Sequence, residues 1–221
     1  MKGRITAACA RIKRDPATIT MVAVSKGRTA QEVYEAIQAG ITDIGENRVQ
    51  EALIKYNDKR LALGDMRIRW HMVGHLQTNK VKEAVRIFDL VHSVDSIRLA
   101  AEIDKQAARV NKVQDILIEV KTSPEPTKSG LNPEELAAMV EEAVKLKNIN
   151  IKGLMTIAPV GEYAEQPRPY FRMLRELKEK INPSVNNRLT LLSMGMTDDF
   201  EVAIEEGADI IRLGRAIFGG F

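Results

Sequence analysis

Met21-Val-Ala-Val24, Ile116-Leu-Ile-Glu-Val120 and Asp209-Ile-Ile-Arg-Leu213 are short, β-branched and apolar almost without interruption. Strands covered on both faces read this way, whereas half-exposed strands alternate with polar residues. Five further short runs complete the set of eight strand candidates, Thr20–Ser25, Asp43–Gly45, Arg69–Val73, Leu90–Ser93, Ile116–Lys121, Ile151–Met155, Thr190–Ser193 and Asp209–Leu213. Between them lie patterns at helical spacing. Val81, Ala84, Val85 and Phe88 form one apolar stripe, Leu136, Val140, Ala143 and Val144 another, and Phe171, Leu174 and Leu177 a third. Gly40 and Gly207 each follow a helical pattern and precede a strand, the place of a helix C′ glycine. Eight strands alternating with helices predict an α/β fold, a (β/α)8 TIM barrel, with an extra helix in the first fifteen residues. The rival is an open doubly wound sheet. Its glycine-rich dinucleotide turn is missing, because Ser25-Lys26-Gly27-Arg28 holds one glycine.

The 221 residues are read as one domain, 1–221. Subtracting 30 acidic from 33 basic residues leaves +3, too small an excess to suggest a nucleic-acid surface. No apolar run is long enough for a membrane span, and the N-terminus has no signal-peptide core. A lone cysteine, Cys9, excludes a disulfide framework, and no Cys/His spacing suits a metal. The expectation is a cytoplasmic protein. With no long apolar patch on the helical exterior, it is also expected to be a monomer.

In a TIM barrel the working residues sit where strands end. Here those positions carry Lys26, Glu46, Asn47, His71, Gly74, His92, Ser93, Lys121, Met155, Thr156, Ser193 and Arg212. The set suits an anionic, hydrogen-bonding ligand and is poor in chelators. Lys26 closes an apolar strand. There a desolvated amine loses its proton more readily, and a neutral amine is what condensation with an aldehyde requires. A surface lysine at a strand end is the alternative. Ser193-Met-Gly195 and Arg212-Leu-Gly214-Arg215 offer a hydroxyl, close-approach glycines and helix-entry N–H groups after strands seven and eight, where barrels hold phosphate. Those glycines can equally serve only to turn the chain. Asp198 and Asp199 are read as helix-start carboxylates rather than acid/base groups, and His71 with His75 is not read as a metal pair.

AVSK (23–26), GENRVQE (45–51), WHMVGHLQTNK (70–80), HSVDS (92–96), TKSG (127–130), GLMTIAP (153–159), LSMGMTDDFEVAI (192–204) and RLGRAIFG (212–219) resemble, in order, the blocks of the YggS/PROSC family. These are single-domain proteins of pyridoxal phosphate homeostasis, with the barrel of alanine racemase's N-terminal domain. The resemblance implies that pyridoxal 5'-phosphate is held as an internal aldimine (a Schiff base) on Lys26. Its phosphate would lie at Ser193 and the backbone of Gly214 and Arg215, and its pyridine nitrogen beside Arg212. Asn47, His71 and Met155 would line the ring pocket, and Lys128 would serve cofactor exchange. Gly27-Arg28 and His75 depart from common members and bear on rim contacts. The implied function is holding and delivering the cofactor without substantial turnover, with cofactor-dependent client enzymes as partners. The alternatives are a small amino-acid racemase and a phosphate-binding barrel enzyme without this cofactor.

Overall fold

The computed structural model describes residues 1–58, 67–123, 125, 129–159, 161–186 and 188–219. Its eight strands are β1 (Thr20–Val24), β2 (Asp43–Glu46), β3 (Arg69–Met72), β4 (Leu90–Val94), β5 (Gln114–Glu119), β6 (Ile149–Met155), β7 (Leu191–Ser193) and β8 (Ile210–Leu213). Each pairs in parallel with its neighbours in sequence order, and β1 pairs with β8 to close the barrel. Around it lie α1 (Lys2–Arg11), α2 (Ala30–Gln38), α3 (Val49–Tyr56), α4 (Val81–Ile87), α5 (Ile97–Ala108), α6 (Leu136–Ala143), α7 (Arg168–Ile181), α8 (Phe200–Glu205) and α9 (Arg215–Phe218).

Strand alternation divides the apolar residues into two layers. Val22, Val73, Leu90, Leu117, Met155 and Ile210 form one small cluster, the filling of the barrel. Ala23, Ile44, Met72, Val91, Ile118, Leu154, Leu192 and Ile211 belong to the larger cluster between strands and helices. The stripes bury Val81, Ala84 and Val85 on α4, Leu136, Val140 and Ala143 on α6, and Phe171 and Leu174 on α7, whereas Val144, expected in the second stripe, lies just past the end of α6 and is exposed. Gly40 and Gly207 take φ of +93° and +97°, a conformation that side chains with a Cβ rarely adopt.

Thr29 and Glu32 form a reciprocal capping box at the start of α2. The extra N-terminal helix, α1, lies along α8, with the Arg4 guanidinium over the Phe200 ring and donating to Glu201 at 2.8 and 3.0 Å. The expectation for Asp198 and Asp199 needs correction. Asp199 stands at the N-cap of α8 but caps no helical N–H with its side chain. It turns back to accept from the Met196 N–H at 2.5 Å, while Asp198 pairs with Arg215.

Where β5 and β6 pair, the register slips between Ile116 and Leu117, bringing Gly153 opposite Leu117. A Cβ at Gly153 would lie 2.7 Å from the Leu191 carbonyl carbon and nearer still to its oxygen. That neighbour is barrel backbone and cannot swing aside. Gly153→Ala is therefore expected to cost about 3 kcal/mol or more. A fall in the denaturant midpoint, with the slope unchanged, checks it.

Candidate functional site

The ends of β1 and β8 form one corner of the barrel mouth. Val22 stands opposite Arg212 and Ala23 opposite Leu213, so the turns after these strands emerge side by side. Lys26 begins the turn after β1 and is exposed. This corrects the expectation of a desolvated amine: the strand ends at Val24, and Gly27, at φ +69°, turns the chain into solvent at the mouth.

The backbone on both sides of Lys26 is clamped. The Ser25 carbonyl accepts from Lys55 Nζ at 2.5 Å, and the Gly27 N–H donates to Glu51 at 3.0 Å, both partners lying on α3. Lys55 is almost fully buried and also pairs with buried Glu46 at 2.5 Å, while the Ser25 hydroxyl donates to the same Glu46 oxygen. The second Glu46 oxygen is buried with no partner among the described residues. On the far side, Arg28 donates to the Gly219 carbonyl at 2.6 Å and pairs with Glu32, tying the β1 turn to the end of α9. The amine is thus exposed on a fixed base.

Arg212 rises from β8 and is buried, donating to the Ser193 hydroxyl at 2.6 Å and the Thr156 carbonyl at 2.9 Å. Its Nε has no protein acceptor among the described residues. Burial pushes the guanidinium down to about 10 against the charges of Asp199 and Glu119, so it stays protonated at neutral pH. Gly214 follows at the N-cap of α9, whose first hydrogen-bonded N–H is that of Ile217. The N–H groups before it have no intrahelical acceptor, as at any helix start.

Beneath Arg212 a line of side chains crosses the barrel. Ser193 Oγ lies 2.9 Å from His92 Nδ1, His92 Nε2 lies 2.9 Å from His71 Nδ1, and His71 Nε2 lies 2.9 Å from Asp43 Oδ1. All three intermediate residues are fully buried. The His92 imidazole is held well below its ordinary value by burial, then by the charges of His71, Arg212 and Arg69. For Asp43, burial alone acts upward, but hydrogen bonds from His71 and Thr42 and the charges of His71 and Arg69 prevail, leaving the carboxyl lowered.

Glu119 ends β5, buried, with no side-chain hydrogen bond among the described residues. Burial and Asp95 raise it to about 7, with Arg212 opposing. A carboxyl raised above its ordinary value of 4.5 opposes folding once ionised, so that cost is absent at acid pH, grows through the window up to about 7 and is then complete. Glu119→Gln should match the parent below this window and exceed it by up to about 3 kcal/mol above it. Urea unfolding across pH checks both limbs, and an equal gain at acid pH would contradict the ionisation account.

Several expected residues therefore do not share one surface. Lys26, Arg212 and the Gly214–Arg215 backbone meet at one corner. The Arg215 side chain is taken by Asp198, which leaves its N–H as its contribution there. Met155 fills the barrel interior, and His71 and Ser193 lie inside it rather than on its rim. Asn47 lines a groove of about 410 Å³ with Gly74, His75, Gln77 and Lys80, a lining that includes neither Lys26 nor Arg212. His75 sits 3.6 Å from Asp95 there, and the described residues contain no cluster suited to a metal. Lys128 falls outside the described residues. Sequence reasoning left Asp43, Glu119 and Lys55 without a role. For Glu119 the signal was a carboxylate inside the apolar run Ile116–Val120, and for Lys55 its spacing of three and six residues from Ala52 and Val49; Asp43, which opens its strand, gave none.

The family model described as alanine racemase, N-terminal domain, matches residues 3–221. A pyridoxal phosphate homeostasis protein of Aquifex aeolicus is 46% identical over 216 residues, spanning 98% of this chain and 93% of that one. The Pseudomonas aeruginosa protein of the same name is 41% identical over 217 residues, spanning 98% and 90%. Among solved structures, PipY of Synechococcus elongatus with pyridoxal phosphate bound superposes with a TM-score of 0.86 at 37% identity, covering 97% of this chain and all of PipY (100%).

Proposed function

Because this chain belongs to the pyridoxal phosphate homeostasis proteins built on the alanine racemase N-terminal barrel, we propose that it binds pyridoxal 5'-phosphate at the β1–β8 corner and holds it for delivery. The observation that carries this reading is the placement of an exposed amine, Lys26, in the turn after β1, next to β8, which carries the buried guanidinium of Arg212. The donor set fits such a ligand. An amine suits the aldehyde, the open N–H groups before Ile217 suit the phosphate, and Arg212 Nε suits the pyridine nitrogen.

When bound, pyridoxal phosphate supplies an aldehyde for condensation and a ring able to accept electrons. Arg212 governs how far the second property is used. A guanidinium that stays charged can only donate, so the ring nitrogen beside it keeps no proton of its own and draws electrons weakly. That property supports holding over turnover. The exposure of Lys26 supports release, since an amine open to solvent can be reached by water or a competing amine.

Borohydride reduction after loading with pyridoxal phosphate, followed by mass spectrometry of the peptides, tests attachment and its position together. The expected result is modification at Lys26. Production of D-alanine from the L-form well above that of the free cofactor would overturn the holding role. Arg212→Gln should change the absorbance spectrum of the loaded protein and weaken retention by about tenfold, the loss expected for one charge-assisted hydrogen bond. An unchanged spectrum would place the guanidinium away from the ring.

A further inference from the structure

Two ends of the buried line have fixed hydrogen-bonding character. A guanidinium only donates, and a carboxylate held low only accepts. Between them stand His71, His92 and Ser193, each able to donate on one side and accept on the other. While both imidazoles are neutral and Asp43 is ionised, only one arrangement satisfies all four bonds; a second proton on His71 would turn the His71–His92 and His92–Ser193 bonds round. Arg212 donates to Ser193, Ser193 to His92 Nδ1, His92 Nε2–H to His71 Nδ1, and His71 Nε2–H to Asp43. The reverse polarity lets Ser193 accept from both Arg212 and His92, but it sets a bare His71 Nε2 against the Asp43 carboxylate, two acceptors with no proton between them.

We propose that Asp43 is a positioning residue for Arg212, acting across the barrel through His71, His92 and Ser193. Asp43 is the first residue of β2, at the opposite end of the barrel from the mouth. Its other oxygen accepts from Thr42 at 2.8 Å, and Arg69 lies 3.7 Å away, so the carboxylate is itself held in place. It fixes the His71 tautomer, which fixes that of His92, which turns the Ser193 hydroxyl down into the barrel. The lone pair of Ser193 is thereby presented to Arg212. With Thr156 on its second terminal nitrogen, the guanidinium has one orientation, and Nε is the edge left for a ligand. Ser193 accordingly acts on the cofactor through Arg212 and not as a phosphate donor. The inference rests on the proposed function only for the identity of the ligand that Nε meets.

Nitrogen-15 NMR of the imidazoles in the ligand-free protein tests the chain directly. Both His71 and His92 should show a protonated Nε2 and a bare Nδ1, and a proton on either Nδ1 would overturn the proposal without any variant. In Asp43→Ala, His71 loses its acceptor, so the His92 shifts should move toward tautomer-averaged values although Asp43 does not touch His92. Asp43→Asn, which keeps an acceptor oxygen, should restore them. In the loaded protein Asp43→Ala should raise the pyridoxal phosphate dissociation constant about tenfold, and Asp43→Asn should return it to within about twofold. A folded Asp43→Ala protein with unchanged His92 shifts and unchanged affinity would sink the relay. Failure of the parent protein to take up pyridoxal phosphate would sink the proposed function instead, leaving the tautomer result to stand alone.

Discussion

Lys26→Ala should give a folded barrel that cannot be labelled: after loading and borohydride reduction, no peptide carries the cofactor and the protein stays colourless. The effect is all or none because the bond to the aldehyde needs an amine, and alanine offers none. Stability should change by no more than about 0.5 kcal/mol, the usual scale for an exposed position, since the Lys26 side chain has no hydrogen-bond or ion-pair partner among the described residues. Mass spectrometry reads the first outcome and denaturant unfolding the second. Colour surviving the substitution would assign the attachment to another lysine, with Lys128 the first to examine. A large loss of stability would instead mean that Lys26 is part of the scaffold.

Breaking the clamp behind that amine is the second large effect. Lys55→Met keeps the length and apolar stem of the side chain but leaves the buried Glu46 carboxylate without its cation. Removing one partner of a buried ion pair costs about 3–5 kcal/mol, because the remaining charge is stranded away from water. The Ser25 carbonyl also loses its 2.5 Å donor, which loosens the base of Lys26. The double variant Lys55→Met/Glu46→Gln should recover most of the stability, since no stranded charge remains, yet still load pyridoxal phosphate more slowly than the parent. Equal loading rates in the double variant would reduce Lys55 to a purely structural group. Recovery of neither property would point to packing rather than charge as the source of the loss.

Both effects concern the turn after β1, and the sequence disclosed its two halves unequally. Lys26 stood out because it closes Met21–Val24, an apolar strand whose end must reach a working face in any barrel. Lys55 gave no such sign. It stands three and six residues after Ala52 and Val49, on the buried face of α3, but a charged side chain there reads as one that reaches out to solvent. Only the packing of α3 behind the β1 turn brings its amine to Glu46 and Ser25. The same limit explains His71 and Ser193. Strand position placed both near the ends of their strands, but both lie within β3 and β7, where strand alternation decides the face each presents. Their side chains therefore face inward, into a space that Val22, Leu90 and Met155 leave partly open to polar groups.

Periodicity and strand order are local properties of the chain, because a covered strand or an amphipathic helix must repeat its apolar residues at the spacing of its own backbone. They were enough to predict eight strands alternating with helices in a barrel, with an open sheet as the rival, the helix over the first residues and the lysine that follows the first strand. Partnership inside the barrel is not local. His92 and Ser193 meet across 101 residues of chain, and Arg212 meets Thr156 across 56, only because the sheet closes on itself and tilts those side chains to a common level. Which polar groups are buried together, which of them donate and which atom is left over for a ligand follow from that closure. A buried hydrogen bond is decided by the distance and direction between groups that the linear sequence does not place side by side.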